Sequence, residues 1–233
     1  GVSLDGPPQV QEFLRGKFPH TLRGIEALER AGVVFGATAV VSAANVAHLP
    51  QLALMLSKYE CARGLGLDLL VRRGRAAGGH PAMADAKSLS KSMQELAKTV
   101  AWINQRRETP LVLRELERMQ SGTGVFCQAA AGASLAVHPN GRLYPCGQTM
   151  GDEDAALGSI SHPDFTELNH LGSYELRSTQ CAECPLNGRC PGECPSRLKY
   201  NGAKGHELAC AMLSGLALGS KLSGARNYGH AAA

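Results

Sequence analysis

The sequence has no apolar run long enough to cross a bilayer, and its first residues, Gly1-Val-Ser-Leu-Asp-Gly, lack the charge and cleavage pattern of a signal peptide. Both absences point to a cytoplasmic protein without a membrane partner. Aromatic residues make up only 5% of the 233 positions, and 24 basic residues are mixed with 20 acidic ones. Neither a stacking platform nor a basic tract therefore marks a nucleic-acid surface. There is no internal repeat, and the one low-complexity segment is the Ala-rich tail. Hydrophobic residues, by contrast, form 44% of the chain, enough for a packed core. With a core of that size, eight cysteines argue against a secreted disulfide scaffold, which is usually far smaller.

Seven of those cysteines lie in the second half. Cys127 is followed by thirteen residues, Gly141, four residues and Cys146; then come Cys181, two residues, Cys184, five, Cys190, three, Cys194, and finally Cys210. Cys184, Cys190 and Cys194 are each followed directly by proline. Such runs resemble the ligand runs of iron–sulfur proteins, in which thiolates hold the irons. Zinc is the competing reading, because four-cysteine tetrahedral sites use similar Cys-x2-Cys pairs. The prolines and the odd count favour clusters: four thiolates suit one closed cluster, and seven suit two with one iron left without a cysteine.

The complete spacing resembles the seven-cysteine signature of the SPASM domain, the C-terminal extension of many radical S-adenosylmethionine (SAM) enzymes that modify peptides. The resemblance implies two 4Fe–4S clusters, with Cys127, Cys146 and Cys194 holding auxiliary cluster I and Cys181, Cys184, Cys190 and Cys210 holding auxiliary cluster II. Gln128 to Asn140 contains no further cysteine, so one iron of cluster I is expected to be open to a substrate donor. Upstream, Ser3-Leu4-Asp5-Gly6-Pro7, Glu12-Phe13-Leu14-Arg15, Gly24 to Leu28, and Val40-Val41-Ser42 to Asn45 are similar to the second half of the radical SAM partial barrel. Ser3 and Arg15 match positions that contact SAM. The family's Cys-x3-Cys-x2-Cys loop, which holds the SAM-cleaving cluster, does not occur in this sequence, and no initiator Met is present. A fragment or one half of a split enzyme, inactive in SAM cleavage alone, is expected. Gly147 stands where sulfatase-maturing relatives place an Asp that acts as the base, which counts against formylglycine-type oxidation.

Periodicity predicts a strand end at Gly1 to Leu4 stopped by Asp5 to Pro8, and a helix over Thr21 to Ala31 with Thr21 as cap and Gly32 closing it. A strand over Val33 to Val41 reads as buried on both faces. Then follow a helix over Leu49 to Tyr59, a strand over Leu67 to Val71 and a connection over Ala76 to Ala84. A helix over Ser88 to Arg107 places Leu89, Met93, Leu96, Val100 and Ile103 on one face, and a short helix from Thr109 or Pro110 runs through Met119. His138-Pro139-Asn140-Gly141 reads as a hairpin turn, with His138 a turn residue rather than a ligand and Asn-Gly supplying positive torsions. Arg72, Arg73 and Arg75 read as a solvated run, with substrate carboxylates as the alternative partner, and Cys61 as a small buried hydrophobe.

The expected fold is α/β: the C-terminal half of a partial (β/α)6 radical SAM barrel over 1–107, then a small cysteine-rich SPASM domain over 108–233. The function that the resemblance implies is the C-terminal portion of a peptide-modifying oxidoreductase. Its partners are a peptide or protein substrate, and a separate N-terminal radical SAM half or an electron donor. Two alternatives stay open: a non-enzymatic electron-transfer or peptide-binding module, and a zinc-stabilised structural domain.

Overall fold

The computed structural model describes residues 1–121, 126–174 and 179–222. The Ala-rich tail and Gly122-Thr123-Gly124, which opens the cysteine region, lie outside the described residues. Four strands lie side by side in chain order, all parallel: β1 (Val2–Ser3), β2 (Phe35–Val41), β3 (Ala62–Leu69) and β4 (Val112–Leu113). Parallel neighbours need crossovers, and helices supply them. Helices α1 (Pro8–Arg15) and α2 (Phe18–Arg30) follow β1, α3 (Leu49–Leu56) follows β2, and α4 (Ala86–Asn104) follows β3. The chain is thus a mixed α/β fold, with one more strand than the three read from sequence.

One face of the sheet is apolar. Leu4, Ala37, Ala39, Val41, Leu65, Leu67 and Leu69 pack against α3 and against Leu89, Met93, Leu96, Val100 and Ile103 of α4. Burying one Leu side chain is worth about 1.5–3 kcal/mol, so this face anchors the molecule. The expectation that β2 is buried on both faces is wrong: Phe35, Ala37, Ala39 and Val41 are buried, while Gly36, Thr38 and Val40 between them are half-buried. The alternation is hidden because the second face carries small or β-branched residues rather than charges.

Several boundaries moved, each for a local reason. Residues Pro8–Arg15 form a helix instead of a stop, because proline in the first turn gives up an amide that has no partner there anyway. Helix α2 begins at Phe18, not Thr21, and its cap is remote: the Glu12 carboxylate accepts from the amides of Lys17 and Phe18 at 3.1 and 2.7 Å. Gly32 does close it, with φ +66° and paired bonds from Gly32 to Glu29 and from Val33 to Leu28. Helix α4 starts two residues early because Asp85 caps it, accepting from Ser88 N at 2.9 Å. The expected Pro110 helix is strand β4 followed by α5 (Arg114–Ser121).

Beyond α5 come the antiparallel hairpin β5 (Ala136–Val137) and β6 (Leu143–Tyr144), a short α6 (Thr179–Ala182), and α7 (Pro195–Leu222), which is broken at Gly202. The hairpin turn falls where expected, although only Gly141 has a positive φ. Helix α7 lies along α4, and Leu208, Met212, Leu213 and Leu216 join the same core. Among the described residues no helix is long and apolar enough to cross a membrane.

Candidate functional site

Helix α7 gathers the cysteine region. Its residue Cys210 stands one turn after His206, whose Nε2 lies 3.8 Å from Cys210 Sγ and 4.0 Å from Cys181 Sγ. Burial raises the thiols of Cys190 and Cys210; Cys181 and Cys184 lie within electrostatic reach of both and raise them further. The Gly192 amide donates to Cys190 Sγ at 3.4 Å. These four thiols are the set that the resemblance assigns to auxiliary cluster II. Among the described residues, no three His, Cys, Asp or Glu side chains are gathered tightly enough to hold a metal ion. The donor set still fits one in kind: four neighbouring thiols with an amide aimed at sulfur, and a metal's positive charge would deprotonate them. His206 was missed, although His-x3-Cys on a helix puts both side chains on one face.

The second set is looser. Gln148, two residues after Cys146, accepts from Cys194 Sγ at 3.8 Å and from Ser196 Oγ, and Ser196 Oγ is 3.0 Å from Cys194 Sγ. The Cys146 turn thereby meets the start of α7 beside Cys194. No hydrogen bond or ion pair among the described residues links Cys127 to either. His138 is a turn residue, as expected: its carbonyl accepts from Gly141 N, and its ring packs edge-on against Tyr144.

An ion triad, buried at Arg197 and Glu193 and half exposed at Asp68, ties the cysteine loop to the sheet. Arg197, with 4% of its side chain exposed, donates to Glu193 Oε1 at 2.7 Å and to Asp68 Oδ1 on β3 at 3.0 Å. Glu193 Oε1 also accepts from the Cys194 amide at 2.5 Å. Nearby, Asp152 takes Lys199 Nζ at 2.8 Å, Tyr200 OH at 2.6 Å and the Arg73 guanidinium at 3.5 Å. Burial pushes its carboxyl up, but Lys199 and then Tyr200 hold it below the usual range. Arg73 is therefore an internal clasp stacked on Tyr200, and only Arg72 and Arg75 of that run are exposed.

Glu115 replaces the strand that β4 is too short to provide. Its Oε1 accepts from Leu67 N at 3.1 Å, two residues beyond the last β3–β4 pair, and Oε2 has no partner among the described residues. A cavity of about 30 Å³ between Glu115, Arg118, Phe126, Glu193 and Arg197 adjoins it, room for about two waters. Burial raises the Glu115 carboxyl above its ordinary 4.5. For an acid so raised, the contribution to stability is full below the unfolded value and is lost as pH rises through the folded one. Glu115→Gln keeps an acceptor for Leu67 and removes that loss. Urea melts from pH 4.5 upward should show the wild type falling relative to the variant, and parallel curves would refute the assignment.

At the carboxyl ends of β1 and β2 lies a second polar cluster. Asp5 accepts from Arg15 Nε at 2.5 Å and from Val40 N at 2.8 Å. Fully buried Asn45 donates to the carbonyls of Asp5 and Val40 and accepts from Ser42 N. Gln11 Oε1 accepts from Asp5 N at 2.7 Å and Gln11 Nε2 reaches the Ser3 carbonyl at 3.5 Å, so Ser3 and Arg15 share one neighbourhood.

No protein-family model matches the sequence, and no curated protein matches it. Solved structures do. The chain is similar to native anSMEcpe with bound AdoMet, with a TM-score of 0.67 and 17% identity, covering 95% of this chain and 65% of that one. It is also similar to Streptococcus suis SuiB bound to S-adenosylmethionine, with a TM-score of 0.53 and 11% identity, covering 88% and 51%. The chain thus spans less than two thirds of either protein, and at these identities the likeness is one of fold. The chain shares a mixed α/β fold with these two AdoMet-bound proteins.

Proposed function

We propose that the chain is the C-terminal portion of a radical SAM/SPASM peptide-modifying enzyme, a partial barrel over 1–107 and an auxiliary iron–sulfur domain from 108 onward. The observation that carries this reading is the shared neighbourhood of Cys181, Cys184, Cys190 and Cys210 under α7. These four would hold one 4Fe–4S cluster, and Cys127, Cys146 and Cys194 a second with an iron open to a substrate donor. Bound there, such clusters supply one-electron transfer and a Lewis-acid position. The chain's own residues do the positioning: Arg197 fixes the Cys194 loop to β3, Gln148 aligns the Cys146 turn with Cys194, and Gly192 N directs a hydrogen bond to sulfur. Ser3 and Arg15 would meet AdoMet, with Asp5 orienting the half-exposed Arg15 guanidinium. The sequence holds no Cys-x3-Cys-x2-Cys triplet, so AdoMet cleavage is assigned to a cluster outside these residues, on the same chain or on a partner half.

Metal analysis after anaerobic purification and reconstitution tests the reading. About eight irons and eight sulfides per chain are expected for two four-iron clusters. His206 between two thiols favours zinc as the second reading, since Cys3His sites are common structural zinc sites. Zinc without sulfide, even after reconstitution, would establish that reading and end the redox one.

A further inference from the structure

The sheet face turned away from the core carries a polar row that the cysteine chemistry does not use. Register puts Ser3 beside Thr38 and Thr38 beside Gly66. The β3–β4 pairing ends with Leu65 opposite Leu113, which brings Arg114 next to Gly66. Arg114 then folds back flat across β3: a Cβ on Gly66 would stand 1.6 Å from Arg114 Nη2 and 2.0 Å from its Cζ. Its Nη2 donates to Thr38 Oγ1 at 2.7 Å, so the guanidinium is held over glycine in reach of the Ser3 row. An ordinary solvated arginine needs no such cradle.

Its charge is only partly answered, by the neighbouring Glu115 carboxyl. At this end of the sheet Arg15 is paired with Asp5, and Arg197 with Glu193 and Asp68. Arg114 makes no ion pair among the described residues, and the adjacent Glu115 turns its Oε1 to Leu67 instead. A guanidinium held flat on a surface offers its remaining N–H groups as a fork that matches a carboxylate. In open parallel sheets, ligands gather toward the carboxyl ends of the strands, and this row lies next to the Asp5–Arg15 cluster there.

We propose that Arg114, held by Thr38 over Gly66 beside Ser3, is a carboxylate-binding subsite that takes an acidic group of the peptide substrate. The ligand's source rests on the peptide-modifying reading above, but the subsite does not rest on the clusters. AdoMet, which also carries a carboxylate, is the other source, and the test separates the two.

Calorimetric titration of the whole 233-residue chain with acetyl-(Gly-Glu)3-amide, its Gln counterpart, and AdoMet makes the comparison. Variants Arg114→Met and Gly66→Ala probe the charge and the cradle separately. Gly66→Ala displaces only the tip of a flexible side chain, so it should melt like the wild type and keep its iron and sulfide content. We expect the Glu peptide to bind the wild type about tenfold more tightly than the Gln peptide, a preference lost in both variants. Loss of AdoMet affinity in both, with peptide binding unmoved, would overturn the peptide source and assign the carboxylate to AdoMet. Equal binding of each probe to all three proteins, or no binding to the wild type, would overturn the subsite, whatever the metal content.

Discussion

Arg197→Met should destabilise the chain by about 3–5 kcal/mol, because it leaves a carboxylate buried without its cation. Most of that loss comes from Glu193, whose side chain is 1% exposed; Asp68 is half exposed and can turn to water. The double variant Arg197→Met with Glu193→Leu should recover most of the loss, since a buried pair replaced by apolar groups is often neutral. Chemical denaturation of the two variants and the wild type checks both statements. A single variant within about 1 kcal/mol of the wild type would show that the triad is an open surface bridge.

Gly215→Ala should be destabilising even though alanine is the better helix former by about 1 kcal/mol. Helix α7 meets α4 along Gly215 and Gly219, where an added Cβ would stand 2.5 Å from Ser90 O and 2.4 Å from Gln94 O. Those oxygens belong to the α4 backbone and cannot turn aside, so the helices must separate. Overpacking of this kind costs about 1–3 kcal/mol, and Gly215→Leu should cost more. Thermal melts decide it: a raised melting temperature for Gly215→Ala would mean that the two helices are not in close contact.

The cysteine spacing was legible because ligand runs are written in covalent order, and the helix faces because their apolar period is regular. Leu89, Met93, Leu96, Val100 and Ile103 are all buried, as their spacing predicts. Strand β3 was placed five residues late because Arg63-Gly64 and Gly66 read as turn material; they form strand because their glycines lie on the sheet's open face, one of them under Arg114. Strand β4 was missed because two residues after Pro110 carry no period, and only pairing with β3 defines them. The Glu193–Arg197–Asp68 triad was not legible at all: Asp68 and Arg197 meet across 129 positions, and charged residues in sequence give no hint of burial.

Gly202 interrupts α7 with φ 55° and ψ −140°, torsions that a residue with a side chain adopts only under strain. Before it, the helix carries Arg197 and the Cys194 end; after it, the helix carries His206 and Cys210 and runs along α4. The bend sets the direction in which the Cys210 end leaves the Cys194 end, while the Glu193–Arg197–Asp68 triad holds the Cys194 end to the sheet. Gly202 is thus a hinge point written as one residue: a side chain there would leave all seven cysteines in place and still re-aim Cys210 and His206 relative to Cys194.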